Sequence, residues 1–186
     1  MVTREKLYTA DDLWEISHDG DDGRYELVEG VIYDIPPAGG LHGNIAMILG
    51  WHIAGFVMQN DLGFVTAAET GFSVTGDNLN VLAPDVGFIS RKRLATLPEG
   101  YIPVAPDLAV EVVSPNDKAD VIHRKIIRYL EAGTQQVWLV YPKDRHVVIH
   151  TSAGTNTLKA NDVLVGGDIL HGFKLPLNDI FSQAEC

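Results

Sequence analysis

A chain of 186 residues, 46% of them hydrophobic, is long enough for one packed domain and too short for two large ones, so residues 1–186 are expected to form a single fold. One cysteine, Cys186, rules out a disulfide framework and a thiolate metal site. A net charge of −11 argues against a broad nucleic-acid surface, but the imbalance is local: residues 1–90 carry 14 acidic and 3 basic side chains, and residues 91–186 carry 11 of each.

No apolar run is expected to reach the ~20 residues of a membrane span, and MVTREKLYTADD lacks the apolar stretch of a signal peptide. A soluble, cytoplasmic protein with no membrane partner is the expectation. Thr9, Asp11 and Asp12 suit a helix start, with Leu13, Trp14 and Ile16 as its apolar residues and the DGDDG turn at 19–23 as its end. RYELVEGVIYDI alternates and is broken by Gly30, which predicts two short strands around a tight turn. After PPAGG, the spacing of Leu41, Ile45, Ile48, Leu49 and Phe56 predicts an amphipathic helix over 41–59.

GFVTAAETGFSV and NVLAPDVGFIS predict two or three strands around the GDN turn at 76–78. A proline-rich loop leads into DLAVEVV, a strand that reads as buried on both faces. SPND then turns the chain into a helix running to Ala132, with Asp117 as its candidate cap and Gly133 as its stop. QVWLVYP is a buried strand, KDRH a turn and VVIHT an antiparallel partner, and the remainder predicts short edge strands. Strand, helix and strand over 107–141 make a parallel crossover between antiparallel hairpins. The fold class is therefore α/β, with a central mixed β-sheet flanked by helices.

Two carboxylates stand where apolar residues are the default: Asp85 in VLAPDVGFI and Glu111 in DLAVEVV. Burying either without a partner costs several kcal/mol. If their strands are neighbours, both can converge on a hard divalent cation such as Mg²⁺, which would offset the desolvation of the pair. In ADVIHRKIIRYLEAG, Lys125 lies three residues from Ile122 and four from Val121 and Tyr129, so it flanks the apolar stripe of Ile122, Ile126, Tyr129 and Leu130. Either its stem snorkels to water or its ammonium turns back toward the strand of Glu111. Asp, Glu and Lys around one cation suit phosphodiester hydrolysis, because the cation polarises phosphate and acidifies water while lysine stabilises developing charge.

Pro84-Asp85 followed 26 residues later by Glu111-Val112-Val113 resembles the PD-(D/E)XK nuclease signature, with Val113 where lysine usually stands. RYELVEG, GGLHGNI, APDV, DLAVEVVSP, RKIIRYLEAG and QVWLVYP together resemble the Uma2 family of restriction-endonuclease-like proteins, in which the lysine has moved to the following helix. The resemblance implies a restriction-endonuclease-like core, Asp85 and Glu111 as metal ligands for Mg²⁺ or Mn²⁺, and Lys125 as the catalytic lysine. It further implies the carbonyl of Val112 as a ligand, DNA as the partner and action as a homodimer. Glu26 matches the glutamate of the family's first strand, and its alternative is an exposed hairpin residue. His42 falls in a family motif, and its alternative is a polar residue at a helix start.

No GxxxxGK[ST], GxGxxG or HExxH pattern is present, and the serines lack a nucleophile-elbow context. Arg91-Lys92-Arg93 and the group Lys118, Arg124, Lys125 and Arg128 are either solvated surface or a binding patch. The leading expectation is a metal-dependent DNA endonuclease. The alternatives are a non-catalytic nucleic-acid-binding or protein-interaction domain of the same fold, and a metal-dependent hydrolase of another phosphate ester.

Overall fold

Residues 6–19, 23–76, 78–115 and 117–182 are described by the computed structural model. The centre of the DGDDG turn, Asp77 of the GDN turn, Asn116 of SPND and Cys186 lie outside them. Helix α1 (Ala10–His18) starts where the sequence predicts, at Thr9. The Thr9 hydroxyl accepts from the Asp12 amide and the Asp12 carboxylate accepts from the Thr9 amide, a reciprocal cap. Leu13 is buried, whereas Trp14 is 38% exposed and packs edge-on to Tyr101.

Strands β1 (Tyr25–Val28) and β2 (Val31–Asp34) form the expected hairpin. Its turn residues Glu29 and Gly30 have φ of +54° and +77°, which matches the twist of the two strands. The region 63–90 holds four strands rather than two or three. Strands β4 (Phe72–Ser73) and β5 (Val81–Leu82) join the hairpin in a sheet of order β2-β1-β5-β4. Strands β3 (Gly63–Ala67) and β6 (Val86–Ser90) belong to the main sheet. Two-residue strands carry no periodic pattern, and their pairing is set by tertiary contact.

The main sheet adds β7 (Leu108–Val112), β8 (Gln136–Tyr141), β9 (His146–Thr151) and β10 (Gly154–Lys159), in the order β10-β9-β8-β7-β6-β3. Only β7 and β8 run parallel, and α3 (Ala119–Glu131) connects them. This is the central mixed sheet flanked by helices that the sequence predicts. Its side chains alternate between two cores. Val86, Phe88, Val110, Val112, Trp138 and Val140 meet the Ile45, Leu49, Ile53 and Val57 stripe of α2 (Gly40–Gln59). Ile89, Ala109, Val137 and Leu139 face Ile126 and Tyr129 of α3 together with the small sheet.

Three expectations are corrected. Asp117 is not the cap of α3: Lys118 holds that position, and the Asp117 carboxylate accepts from the Ser114 amide at 2.7 Å instead. The short edge strands expected after VVIHT are found only in part in the main sheet: β10 forms its edge, and the segment after residue 160 makes a separate ladder. Strands β11 (Val163–Gly166) and β12 (Leu170–Pro176) pair with each other, and with α4 (Leu177–Phe181) they pack into the α2 core. Finally, an apolar run does reach the length of a membrane span: α2 has 20 residues and is long and apolar enough by length and composition. One stripe of α2 is core, while Met47, Trp51 and Met58 on the other side are 65–79% exposed.

Candidate active site

The side chains of interest gather at one end of the main sheet. In the antiparallel β6–β7 ladder Val86 pairs with Val110, so the next residues outward are Asp85 and Glu111. Alternation along β7 turns Glu111, like Ala109, to the α3 side. There Lys125 completes the buried face of its helix: it is 8% exposed and shares that face with Ile126 and Tyr129. Of the two sequence alternatives for Lys125, the inward one holds.

Its ammonium lies 2.8 and 2.9 Å from the two Glu111 oxygens and 2.9 Å from Glu26 Oε1. Glu26, on β1 of the small sheet, is 5% exposed and not a surface hairpin residue; its Oε1 also accepts from the Ala83 amide at 2.7 Å. The Tyr129 hydroxyl donates to Glu111 Oε1 at 3.0 Å. Sequence reasoning assigned Tyr129 to the apolar stripe and missed that hydroxyl. The available signal was its spacing of four from Lys125.

Burial is the main force on these groups. It pushes Glu111 up to about 8; Glu26 and Asp85 add to the rise and Lys125 opposes it. Burial would push the Lys125 ammonium down, but Glu111 and Glu26 reverse this and hold it above the ordinary lysine value. The two titrate as a unit in which lysine keeps its proton and the carboxylate gains proton affinity. Burial and Glu111 likewise hold the Tyr129 hydroxyl neutral, well above the usual tyrosine value.

Asp85 is fixed from two directions. Its Oδ2 accepts from the Val112 amide at 2.7 Å and lies 3.2 Å from His42 Nε2 in the first turn of α2. The Asp85 hydrogen bond raises the His42 pKa against the effect of burial, and His42 Nδ1 is buried without a hydrogen-bond partner among the described residues. His42 is therefore more than a polar residue at a helix start. The Val112 amide, rather than its carbonyl, is the group seen engaged. Val113, in the usual lysine position, is partly buried against the α3 core, and its amide donates to the Val140 carbonyl. A cleft of about 300 Å³ opens beside His42, the partner of Asp85, lined also by Gly40, Val113, Pro115, Tyr141 and Lys143 among others.

The donor set suits a hard cation. Glu26 and Glu111 share one ammonium and Asp85 lies at the same sheet end; Glu26 and Asp85 add to the rise in Glu111 proton affinity that burial dominates. Among the described residues no three His, Cys, Asp or Glu side chains are placed to hold a metal ion together.

No curated protein sequence matches the chain. Its fold matches the crystal structure of a "putative nuclease belonging to DUF820" from Anabaena variabilis, with a TM-score of 0.79 and 21% identity over 95% of this chain and 98% of that one. The sequence matches the Uma2 family over residues 10–178. The chain thus belongs to the Uma2 family, whose description is "Putative restriction endonuclease".

Proposed function

We propose that the protein is a metal-dependent, endonuclease-like phosphodiesterase acting on DNA. The observation that supports this reading is the Lys125 ammonium, delivered from α3 to within 2.9 Å of both Glu111 and Glu26 at the sheet end where Asp85 emerges. Asp85, Glu111 and the Val112 carbonyl would hold Mg²⁺ or Mn²⁺. Such an ion supplies a Lewis acid for the phosphate and a more acidic water. His42 and the Val112 amide orient Asp85 through Oδ2, while Oδ1 has no hydrogen bond to a described residue and is left for a ligand. Lys125 holds positive charge beside the phosphate as negative charge develops on it, and Glu26 and Tyr129 keep the lysine and Glu111 in place. Hydrolysis adds water to phosphorus, breaks the bond to the leaving oxygen and returns a proton to that oxygen.

Purified protein should nick or cut plasmid DNA with Mg²⁺ and stop with chelator. Asp85→Ala and Glu111→Ala should abolish cleavage, and Lys125→Met should slow it roughly 10²–10³-fold, the usual cost of losing one charge-stabilising donor. A second reading, a non-catalytic domain of the same fold, is favoured by one observation: both Glu111 oxygens are already engaged, by Lys125 and Tyr129. Calorimetric titration with Mn²⁺ separates the two. Binding that Asp85→Asn removes supports the nuclease, whereas no heat and no cleavage of single-stranded, duplex or branched DNA overturns it.

A further inference from the structure

The sequence offers two basic clusters as nucleic-acid surfaces, and in the structure the arginines of both are engaged in ion pairs, while Lys92 and Lys118 stay exposed. Arg91 pairs with Asp61 and Arg93 with the buried Asp107, and both follow Ser90 at the far end of β6 from Asp85. Arg124 pairs with Asp120 and Glu29, and Arg128 with Glu29 and Glu131. Further cations stand on the turn between β8 and β9 and on the end of β10. Lys143 and Lys159 are exposed, and neither makes an ion pair with a described residue. Arg145 lies between them in sequence, and its guanidinium reaches Asn178 Oδ1 at 3.4 Å.

These three side chains line two clefts that meet. The 300 Å³ cleft beside His42 ends at Lys143 and Asp144. A second, of about 390 Å³, begins at Asp144 and runs along Arg145, His146, Thr157 and Lys159. Register explains the geometry: Lys159 pairs with His146, so the end of β10 lies beside the start of β9, at the same sheet end as Asp85 and Glu111. Tyr141 lines the first cleft and is braced by His146, stacked at 4.4 Å and 13°. The first cleft has room for about one nucleotide, with an aromatic ring for stacking, and the second, which shares Asp144 with it, continues it along Arg145 and Lys159.

From this placement we infer that the two clefts form a track for one DNA strand, so that the substrate of the proposed nuclease is single-stranded or locally unpaired DNA. The inference rests on that functional reading. Three cations suffice for a single strand followed nucleotide by nucleotide. They leave a duplex, with twice the charge per unit length, facing a protein of net charge −11.

Fluorescence anisotropy with a labelled 12-nucleotide strand and its duplex, in chelator so that nothing is cut, tests the track. Wild type should bind the strand at least about 10-fold more tightly than the duplex. Lys143→Glu and Lys159→Glu should each weaken strand binding several-fold and flatten its dependence on salt by about one phosphate contact. Tyr141→Leu should weaken it without changing that slope, and Arg91→Glu should leave it within twofold. Equal or tighter duplex binding, or an Arg91→Glu effect as large as that of Lys143→Glu, overturns the track. Plasmid nicking by the same preparations keeps the two ideas apart. Lys143-dependent strand binding without any metal-dependent cleavage overturns the nuclease reading and supports the track, whereas cleavage with strand binding indifferent to Lys143 and Lys159 overturns the track alone.

Discussion

Lys125 shows how far one side chain can be read before its partners are known. Its misfit on the helix was visible in the sequence; what resolved it was Glu26, 99 residues earlier and on another sheet. Replacing it with methionine keeps the stem and removes the ammonium, leaving Glu26 and Glu111 buried without their cation. Urea unfolding should then show a loss of about 3–5 kcal/mol, and the double variant Lys125→Met/Glu111→Gln should lose less than the two single losses combined. Glu111 also imposes a pH dependence. Its folded pKa is raised from 4.5 to about 8, so the folded state binds the proton more tightly, and the stability this contributes is full below 4.5 and lost as pH rises through 8. Wild-type stability should fall across that window relative to Glu111→Gln, which lacks the titrating group. A carboxylate in an apolar context is not by itself diagnostic. Asp107 is as buried as any, yet its oxygens are used up by the Ser90 amide, Arg93 and Gln135 at the opposite sheet end. Sequence pattern marks buried charge; only the partner list separates structural charge from available charge.

At the level of elements, α3 determines whether Lys125 reaches the site, and its two ends differ in legibility. The C-terminal stop at Gly133 was plain because one residue type carries it. Gly133 has φ of +93°, its amide bonds to the Leu130 carbonyl, and the Thr134 amide bonds back to Tyr129. Gly133→Ala should cost about 1 kcal/mol or somewhat more in thermal or urea unfolding, because a Cβ is disfavoured at that φ whatever space surrounds it. The N-terminal end was misread, since Asp117 fits a cap by composition but spends its carboxylate on Ser114. The long helix α2 was located to within a residue and read as amphipathic, yet Leu41, placed on its apolar stripe, is 41% exposed. Leu41, Met47, Trp51 and Met58 look like core in a list of apolar residues, and only the position of the sheet shows that Ile45, Leu49, Ile53 and Val57 face inward.

Over the whole molecule, the site joins two layers that no local pattern predicts. The crossover from β7 through α3 to β8 was legible, because length and periodicity specify it. The separate small sheet was not, because β4 and β5 are two residues each and Phe72 bridges to Ile102, 30 positions on. That division matters physically: Glu26 belongs to the small sheet, Glu111 to the large one, and Lys125 bridges both at 2.8–2.9 Å. Glu26 and Glu111 share one ammonium and Asp85 emerges at the same sheet end, so the junction between layers is under an electrostatic strain that a divalent cation would relieve. Binding to the folded state alone raises stability by RT ln(1 + [L]/Kd), about 2.7 kcal/mol at 100 times Kd. Mg²⁺ or Mn²⁺ should therefore raise the melting temperature of wild type but not of Asp85→Asn or Glu111→Gln. Because the cation competes with the proton that Glu111 holds up to about pH 8, the rise should be larger at pH 9 than at pH 6. A rise of equal size in Asp85→Asn would place the ion elsewhere, and none in wild type at either pH would mean that the strain is relieved by the proton alone.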